Sequence, residues 1–370
     1  MDKPIKVLQV IPQLGLSGIS SVVLNWLREI DTQCVQFDFI CFNDGQYREE
    51  LESKGCRVFC IPTFRQSPLA HIKAVKEILL SPDGKYDVIH VHNSFKNFVM
   101  LSLAKKYRVP VRVCHSHTAG LELSWLAPAF SLIKSLTKRF SNQYVACGEK
   151  AGQFLFGDAP FIVLNNAIKV EKFLPSKDLA DPVAAVFDKY HLPKDKKLVL
   201  HVGRFSEVKN HQFFLTLAIS KQLDPDLHFV CIGDGPLKEN FAQDIIETRQ
   251  QHRFSLLPAN NDIPLLLHAA QAFVMPSLFE GVSVAMLEAQ AAKLPCFVSD
   301  TISLEADMGL SLVEFLSLER PNEWIEQLNY LQEKNLEDDD VKQAFRHKNY
   351  SIDAVVGQLV DLYQEGLKAR

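Results

Sequence analysis

The 370-residue chain lacks the motifs of several common protein classes. It has no G-x-G-x-x-G dinucleotide fingerprint and no G-x-x-x-x-G-K-[ST] phosphate loop, so hydride transfer and P-loop hydrolysis lose support. Its eight cysteines form no C-x-x-C pair and lie mostly in apolar, strand-like runs, a pattern that favours a reducing cytosol. The N-terminus enters a predicted strand at once, and neither a signal peptide nor an apolar run of membrane-spanning length is predicted.

Charge is unevenly distributed along the chain. Residues 1–170 carry 20 Lys and Arg against 14 Asp and Glu, whereas residues 171–370 carry 20 against 30. Within the basic half, residues 122–140 combine large apolar side chains with three basic ones. An interfacial helix that lies on anionic lipid has this composition, and so does a core helix with a solvated basic edge. We therefore predict a possible peripheral contact with the membrane from the cytoplasmic side, and leave the core-helix alternative open.

Short apolar runs alternate with helical stretches, which is typical of parallel sheets covered on both faces. Two series of strands are predicted, separated by the proline-containing segment 169–197, which we interpret as a linker. The chain is thus predicted to be an α/β protein with two doubly wound domains. The predicted strands are 5–11, 37–42, 57–61, 87–92, 111–116, 143–147 and 161–165 in the first series, and 198–203, 227–232, 253–257, 272–276, 295–299 and 311–316 in the second.

The segment Phe279–Asp300 is the most informative part of the sequence. Glu280 and Glu288, with seven residues between them, are predicted to lie on one side of a single helix, about 12 Å apart along its axis. The first backbone N–H groups of that helix, from Glu280 to Ser283, would attract an anion. A ligand with phosphates at one end and hydroxyls on both sides, such as a nucleotide sugar, fits this pattern. A solvated stripe is the alternative interpretation of the two glutamates.

The segment 201–211, HVGRFSEVKNH, places two cations after a predicted strand end and Gly203. Arg204 and Lys209 can therefore project over the carboxyl edge of the second sheet, where open α/β sheets bind ligands. Such cations stabilise the negative charge that develops on a departing diphosphate. Gly233 and Asp234 form the turn after another predicted strand and should border the same ligand, although tight packing could also explain the glycine.

Two His-x-His pairs end predicted strands of the first domain, at His90 and His92 and at His115 and His117. In a strand, the two rings of each pair point to the same face. A catalytic zinc site needs at least three well-placed ligands and structural zinc sites prefer thiolates, so we predict no metal. The alternative of plain histidines at the end of a strand stays open.

These segments, together with GISSVVLNW, VRVCHSHT and CIGDGPLKE, resemble retaining glycosyltransferases of family 4, in the branch that assembles bacterial capsules and exopolysaccharides. The resemblance runs through nearly the whole chain. It implies the GT-B fold: two Rossmann-like domains facing a central cleft, one over residues 1–168, joined by a C-terminal helix at 352–370, and one over 169–351. It implies no cofactor, only a nucleotide-sugar donor, with UDP favoured, and an acceptor on a polyprenyl diphosphate. No nucleic-acid partner is expected.

The resemblance also implies roles for individual residues. Arg204 and Lys209 would bind the diphosphate, Glu288 the ribose hydroxyls and Glu280 the transferred sugar. His117 would contact the sugar in the cleft, with His115 as the alternative. The motif Leu257–Asn260 would frame the base. The remaining ligand contacts would come from Gly18, Gly233, Asp234, Gly281, Val282 and Ser283.

Gly18 departs from the family pattern, because the residue before it is Ser17 where two consecutive glycines are more usual. A metal-binding D-x-D motif in a suitable context is also missing: Asp224 and Asp226 precede a strand, and Asp338–Asp340 form an acidic run. We therefore expect metal-independent transfer with retention by same-face attack. A nucleotide-sugar epimerase of the same architecture and a non-catalytic nucleotide-binding subunit remain as alternatives.

Overall fold

A computed structural model describes residues 3–15, 17–92, 97–117, 127–175, 180–259, 262–332 and 335–369. The chain divides into two compact units, Met1–Ala167 with Ile352–Arg370 and Ile168–Ser351. The sequence-based boundaries lie one residue later at 168/169 and at the same place at 351/352. Among the helices of the described ranges, none is both long enough and apolar enough to cross a membrane.

The first unit is built on a seven-stranded sheet of order β3-β2-β1-β4-β5-β6-β7, in which all neighbouring strands are parallel. The predicted strands of the first series are all present. The strands are β1 Ile5–Gln13, β2 Val35–Asn43, β3 Val58–Cys60, β4 Val88–Val91, β5 Val111–Ser116, β6 Gln143–Ala146 and β7 Ile162–Val163. The helices are α1 Gly18–Glu29, α2 Arg48–Ser53, α3 Pro68–Leu80, α4 Asn97–Lys106, α5 Ala127–Phe140 and α6 Glu149–Phe156.

The second unit is built on a six-stranded parallel sheet of order β10-β9-β8-β11-β12-β13. The second series of predicted strands is also confirmed. The strands are β8 Lys197–Val202, β9 Leu227–Ile232, β10 Phe254–Leu257, β11 Ala272–Met275, β12 Cys296–Ser299 and β13 Val313–Leu316. The helices are α7 Ala180–Lys189, α8 Gln212–Ala218, α9 Lys238–Glu247, α10 Ile263–Ala269, α11 Val284–Ala291, α12 Pro321–Asn329 and α13 Asp338–His347.

The central strands are mostly apolar because helices cover both faces of each sheet, although β1 carries the buried Gln9 and β4 the buried His90. In β8, Leu198 and Leu200 pack into one hydrophobic cluster while Val199, between them, packs into the cluster on the opposite face. All three side chains are fully buried. Because both faces are buried, these strands could be recognised in the sequence as short apolar runs. Polar side chains are more easily accommodated at the carboxyl ends of the strands.

The segment 169–197 is part of the second unit's core. It contains a 3₁₀ turn at Val170–Lys172 and the helix α7. Phe173, Val186 and Leu192 are buried in the same cluster as the strand residues of β8. Apolar side chains spaced along the segment therefore anchor it, and the predicted linker is a packed element.

The last helix, α14 Ile352–Lys368, belongs to the first unit, where it packs on α1 and β5. Leu359 and Tyr363 are fully buried. A Cβ at Gly366 would lie 3.0 Å from Val111 Cγ1, so a glycine lets the helix approach this strand closely. The return of the C-terminal helix follows the expectation from the sequence.

Candidate active site

The carboxyl ends of β8, β9 and β10 are tied together by backbone contacts that require glycine. Gly203 N–H donates to Ile232 O at 3.0 Å, and Gly233 N–H donates to Leu257 O at 3.0 Å. Gly233 has φ of +152°, and a Cβ there would lie 2.0 Å from Gly203 O. The turn after β9 therefore presses directly against the turn after β8, and a side chain at Gly233 would force them apart.

Lys238, which the sequence analysis did not single out, clamps this turn. Its ammonium group donates to Gly233 O at 2.8 Å, to Asp234 Oδ1 at 3.0 Å and to Leu257 O at 3.1 Å. The other carboxylate oxygen of Asp234 accepts from the N–H of Ala259 at 3.0 Å. The i,i+4 spacing from Asp234 to Lys238 was the signal available in the sequence. Asp234 thus has a structural role in this turn.

The pKa of Asp234 reflects these partners. Burial alone would raise the pKa of the carboxyl group, but hydrogen bonds from Lys238 and from the Ala259 N–H, with the lysine charge, outweigh it and lower the pKa. Asp234 is therefore a carboxylate at neutral pH. Its negative charge is committed to the lysine, so it adds little repulsion toward an anionic ligand.

Leu257 reaches the sheet edge through its backbone. Its side chain is 7% exposed and packs in the hydrophobic core, while its carbonyl accepts from Gly233 and Lys238. Asn260, which the motif at 257–260 also included, lies outside the described residues. A side-chain contact from Leu257 to a base therefore has no support in this geometry, although the turn that its carbonyl fixes is at the predicted place.

Arg204 is exposed directly after the end of β8. Within the part of the chain that the structure describes, its guanidinium makes no ion pair. An unpaired arginine at the carboxyl edge of a parallel sheet is available to an anion, and its planar fork suits a phosphate group.

Lys209 lies five residues later, on a 3₁₀ turn at Glu207–Lys209. Its Nζ is 2.5 Å from Glu280 Oε2, and both side chains are mostly buried, with 15% and 24% exposed. The stem of Lys209 passes over Gly203, where a Cβ would be 3.2 Å from Lys209 Cδ. The structure therefore joins two predicted site residues, 71 positions apart in sequence, at one edge of the second sheet.

The prediction that Glu280 and Glu288 share one helix is wrong. Helix α11 spans Val284–Ala291, so Glu288 lies on it and Glu280 precedes it. The backbone of Glu280 is extended and forms a parallel bridge with Ile302, and its carbonyl accepts from the N–H of Ser303 at 3.2 Å. Pairing with the chain after β12 competes with helix formation here, and the 12 Å axial spacing does not apply.

The start of α11 also moves the predicted anion-binding N–H groups. Ser283 is the N-cap residue, so the unpaired N–H groups of the helix begin there, after Gly281 and Val282. Gly281 is exposed, and a Cβ at this position would meet nothing within 4 Å. Gly281 is thus the point in this segment that another molecule can approach most closely, whereas Val282 is buried in the core.

Glu288 is a partly buried carboxyl group in α11. Burial raises its pKa to about 7, and the positive charge of Lys172 opposes this in part. Within the described ranges, the carboxylate of Glu288 makes no ion pair and no side-chain hydrogen bond. Glu288 therefore changes its protonation near neutral pH, and a ligand that donates hydrogen bonds to it would favour the ionised form.

In the first unit, Gly18 is the first residue of α1 and Ser17 is its N-cap residue. Ser17 Oγ accepts from the Ser20 N–H at 3.3 Å, which explains why serine replaces the more usual glycine here. A Cβ at Gly18 would meet nothing within 4 Å. The N-terminus of α1 is therefore capped and open at Gly18.

The four histidines of the two His-x-His pairs form one cluster at the carboxyl ends of β4 and β5. Within each pair the rings stack, His90 on His92 at 4.2 Å and His115 on His117 at 4.1 Å between centroids. Across the strands, His90 Nε2 is 3.1 Å from His115 Nδ1, and His92 Nδ1 is 2.8 Å from His117 Nε2. Trp26 stacks on His90 and His115.

Of these histidines, His117 alone keeps partial exposure, since His90, His92 and His115 are fully buried. Burial lowers the pKa of His117 to about 3, and burial with mutual repulsion lowers the pKa values of the other three well below the usual value. His117 is therefore the neutral imidazole that a ligand can reach, and His115 is unsuited to that contact.

His90, His92 and His115 offer nitrogen atoms within 4.8 Å of one another. A bound metal ion lies in the plane of each imidazole ligand, so the planes must intersect at the ion. The stacked rings of His90 and His92 are within 21° of parallel, and those of His90 and His115 are within 17°. This orientation suits hydrogen bonds between rings better than a shared metal ion.

Comparison with known proteins first identifies the class of fold. Two parallel-sheet α/β units of this kind form the GT-B fold of glycosyltransferases. The structure of Anabaena HepE in complex with UDP and glucose aligns with a TM-score of 0.77 and 17% identity, over 98% of this chain and 100% of that one. WaaG, a glycosyltransferase of lipopolysaccharide biosynthesis, aligns with a TM-score of 0.69 and 14% identity, over 96% and 99%.

Sequence comparison then identifies the family. Residues 183–346 match Glycosyl transferases group 1, and residues 17–155 match the Glycosyl transferase 4-like domain. EpsF of Bacillus subtilis, named as a glycosyltransferase, is 34% identical over 97% of this chain and 96% of its own length. An Escherichia coli UDP-Gal:α-D-GlcNAc-diphosphoundecaprenol α-1,3-galactosyltransferase is 30% identical, over 77% and 76%. The chain therefore belongs to the family described as Glycosyl transferases group 1, with a Glycosyl transferase 4-like N-terminal domain.

Proposed function

We propose that the chain is a retaining, metal-independent glycosyltransferase that transfers a sugar from a UDP-sugar to a saccharide on a polyprenyl diphosphate, in exopolysaccharide or capsule assembly. The observation that carries this proposal is the arrangement at the edge of the second sheet. The unpaired Arg204 stands there beside the glycine turn at Gly233, with Lys209 held against Glu280. Cations beside a carboxylate suit a ligand with a diphosphate next to a sugar.

The proposed chemistry assigns a task to each of these groups. As the bond from the anomeric carbon to the β-phosphate oxygen breaks, Arg204 and Lys209 stabilise the charge that accumulates on the diphosphate. The departing phosphate oxygen takes the proton of the acceptor hydroxyl, which attacks from the same face and so retains the configuration. Glu280 accepts hydrogen bonds from the transferred sugar, and Glu288 accepts from the ribose diol. His117 is assigned to a polar contact with the sugar.

The choice of donor and acceptor is supported by the relatives. The E. coli relative is named for UDP-Gal and a diphosphoundecaprenol-linked acceptor, and a Campylobacter jejuni relative is also named for a diphospho-undecaprenol acceptor. HepE was solved with UDP and glucose. These names describe those proteins, and we extend the donor nucleotide and the acceptor class to this chain as part of the proposal.

A lipid-linked acceptor would bring the protein to the cytoplasmic face of the membrane. The described part of the predicted interfacial helix, α5, carries Lys134, Lys138 and Arg139, and its Leu132 is 63% exposed. Phe130 is buried, and Lys134 lies 4.8 Å from the centroid of its ring. The exposed leucine and the cations support peripheral binding. Flotation with anionic vesicles tests it, and protein that stays in the dense fraction would contradict it.

A transfer assay tests the proposed function. The purified chain is incubated with UDP-, GDP- and ADP-sugars and a polyprenyl-diphosphate saccharide, and the product anomer is read by NMR. We expect transfer from a UDP-sugar with the anomeric configuration retained, and full activity in EDTA. Inversion, or loss in EDTA with rescue by manganese, would contradict the mechanism.

Conversion of the UDP-sugar without acceptor would indicate an epimerase, and cellular function that survives Glu280→Ala would indicate a binding subunit.

A further inference from the structure

A continuous hydrogen-bond network joins the histidine cluster to Gln9 on β1 and Tyr363 on α14. The side-chain amide of Gln9 lies between the two: its Oε1 is 2.9 Å from His92 Nε2, and its Nε2 donates to the Tyr363 hydroxyl oxygen at 3.1 Å. Gln9, His92 and Tyr363 are fully buried. Because a buried polar atom without a partner costs about 1–3 kcal/mol, each proton in this network is constrained by its neighbour.

One branch of the network leads to His117. With the Gln9 amide oriented so that Oε1 faces His92, this oxygen can only accept, and His92 therefore carries its proton on Nε2 and donates it to Gln9. In a neutral imidazole this leaves His92 Nδ1 as an acceptor, and His117 must donate to it from Nε2, at 2.8 Å. The proton of His117 is thereby placed on Nε2, and its Nδ1 keeps a lone pair.

The other branch leads from the same Gln9 amide through Tyr363 to His90 and His115. The Tyr363 oxygen accepts from Gln9, so its proton is free to go to His90 Nδ1, at 2.7 Å. His90 then donates from Nε2 to His115 Nδ1 at 3.1 Å. All four histidines are neutral in this arrangement, in keeping with their lowered pKa values. If the Gln9 amide were flipped, every hydrogen bond in both branches would exchange its donor and acceptor. The orientation of this one amide therefore sets the tautomers of all four histidines.

We propose that Gln9 is a positioning residue that fixes the tautomer of His117 through His92, so that His117 presents the lone pair of Nδ1 to a substrate hydroxyl. The inference rests on the proposed role of His117 at the sugar. It adds that this contact accepts a hydrogen bond from the substrate. It also assigns a function to Tyr363, whose hydroxyl is the partner of Gln9 Nε2 and couples the amide to His90.

The tautomer can be read directly. In protein labelled with ¹⁵N in its histidines, long-range ¹H–¹⁵N correlation distinguishes a protonated ring nitrogen from an unprotonated one, and the His117→Asn variant assigns the signals. We expect Nε2 of His117 to be protonated and Nδ1 to be unprotonated at neutral pH. Protonated Nδ1 in the unmodified chain would overturn the proposal, and so would one equivalent of tightly bound zinc with metal-shifted ring nitrogens.

Two substitutions test the control exerted by the network. Gln9→Met and Tyr363→Phe should each replace the single tautomer of His117 by a mixture. Tyr86→Phe is the matched control, since it also removes a buried hydroxyl of the first unit, which donates to Asp38 Oδ2 at 2.8 Å, far from the histidines in the network. It should leave the tautomer unchanged. An unchanged single tautomer in both test variants would refute the role of Gln9.

Kinetics separate this inference from the proposed function. Gln9→Met should lower kcat about tenfold, the effect of one misplaced buried hydrogen bond, while UDP affinity stays within about twofold because the nucleotide groups lie in the second unit. A loss of UDP affinity with unchanged kcat would contradict positioning. If the unmodified chain turned over no donor at all, the transferase proposal would fail, and the tautomer measurement would still decide whether Gln9 controls His117.

Discussion

Lys209 Nζ lies 2.5 Å from Glu280 Oε2, so a cation proposed for the diphosphate and a carboxylate proposed for the sugar form an ion pair with each other. Each group keeps the other's charge compensated in a mostly buried place. A ligand with phosphate next to sugar hydroxyls can engage both groups without leaving either one unpaired.

The double substitution Arg204→Ala with Lys209→Ala should lower kcat/KM at least a hundredfold. Both cations are proposed to act on the charge that develops on the diphosphate, which corresponds to a loss of ~3 kcal/mol of transition-state stabilisation. Steady-state assays with a UDP-sugar measure the effect. Lys221→Ala with Arg346→Ala removes the same charge from exposed sites of the same unit and should leave kcat/KM unchanged. Near-normal turnover in the test variant would reject the assignment.

Gly233→Ala should destabilise the second unit, because a Cβ would lie 2.0 Å from Gly203 O. Partial displacement of the turn would relieve the clash and leave a cost of about 1–3 kcal/mol. Gly281→Ala is the matched control for stability, since its Cβ would meet nothing within 4 Å. Gly281→Ala should instead weaken UDP binding, because the methyl group would occupy space proposed for the ligand. Denaturant unfolding and calorimetry measure the two effects. Equal stability of the two variants would contradict the packing argument.

UDP binding at pH 7 should release protons. The pKa of Glu288 is raised to about 7 in the free protein, and hydrogen bonds from the ribose diol would favour its carboxylate form. Calorimetry in two buffers with different ionisation enthalpies counts the protons. The release should disappear in Glu288→Gln, and 2′-deoxy-UDP should show less of it. Proton release that persists in Glu288→Gln would exclude this residue as its source.

The first unit should lose stability as the pH falls below about 6.5. The four clustered histidines have folded-state pKa values below the unfolded value of 6.5, His117 at about 3, so the unfolded chain binds more protons in this range. Each such histidine contributes about 1.4 kcal/mol per pH unit. Glu288, with a raised pKa between 4.5 and 7, has the opposite sign but belongs to the second unit.

Urea unfolding at pH 7.5 and pH 5.5 checks this prediction. His347→Asn, in α13 of the second unit, should leave the pH dependence of the first unit unchanged. His115→Asn removes one of the buried histidines. It should lower the slope of the unfolding free energy against pH by the equivalent of about one proton. A first unit that is equally stable at both pH values would show that the cluster takes up protons while folded.

The strands could be predicted because they are short, apolar and buried on both faces, as Leu198–Leu200 shows. The non-helical backbone at Glu280 could not be predicted, because the bridge to Ile302, a contact from beyond β12, overrides a local helical pattern. The candidate site residues in motifs, Arg204 and Lys209 among them, follow strand ends and can be recognised in the sequence. Gln9 and Tyr363 are 354 positions apart, and no local pattern links them.

Tyr363 completes the histidine network although it lies in the last helix of the chain. During synthesis, the ribosome must therefore make the whole second unit before the first unit can bury His90 against its final partner. Until then, a partly folded first unit exposes the groove that α14 will fill. A released chain that ends at Ser351 should therefore have a first unit that protease cleaves easily and a second unit that resists it.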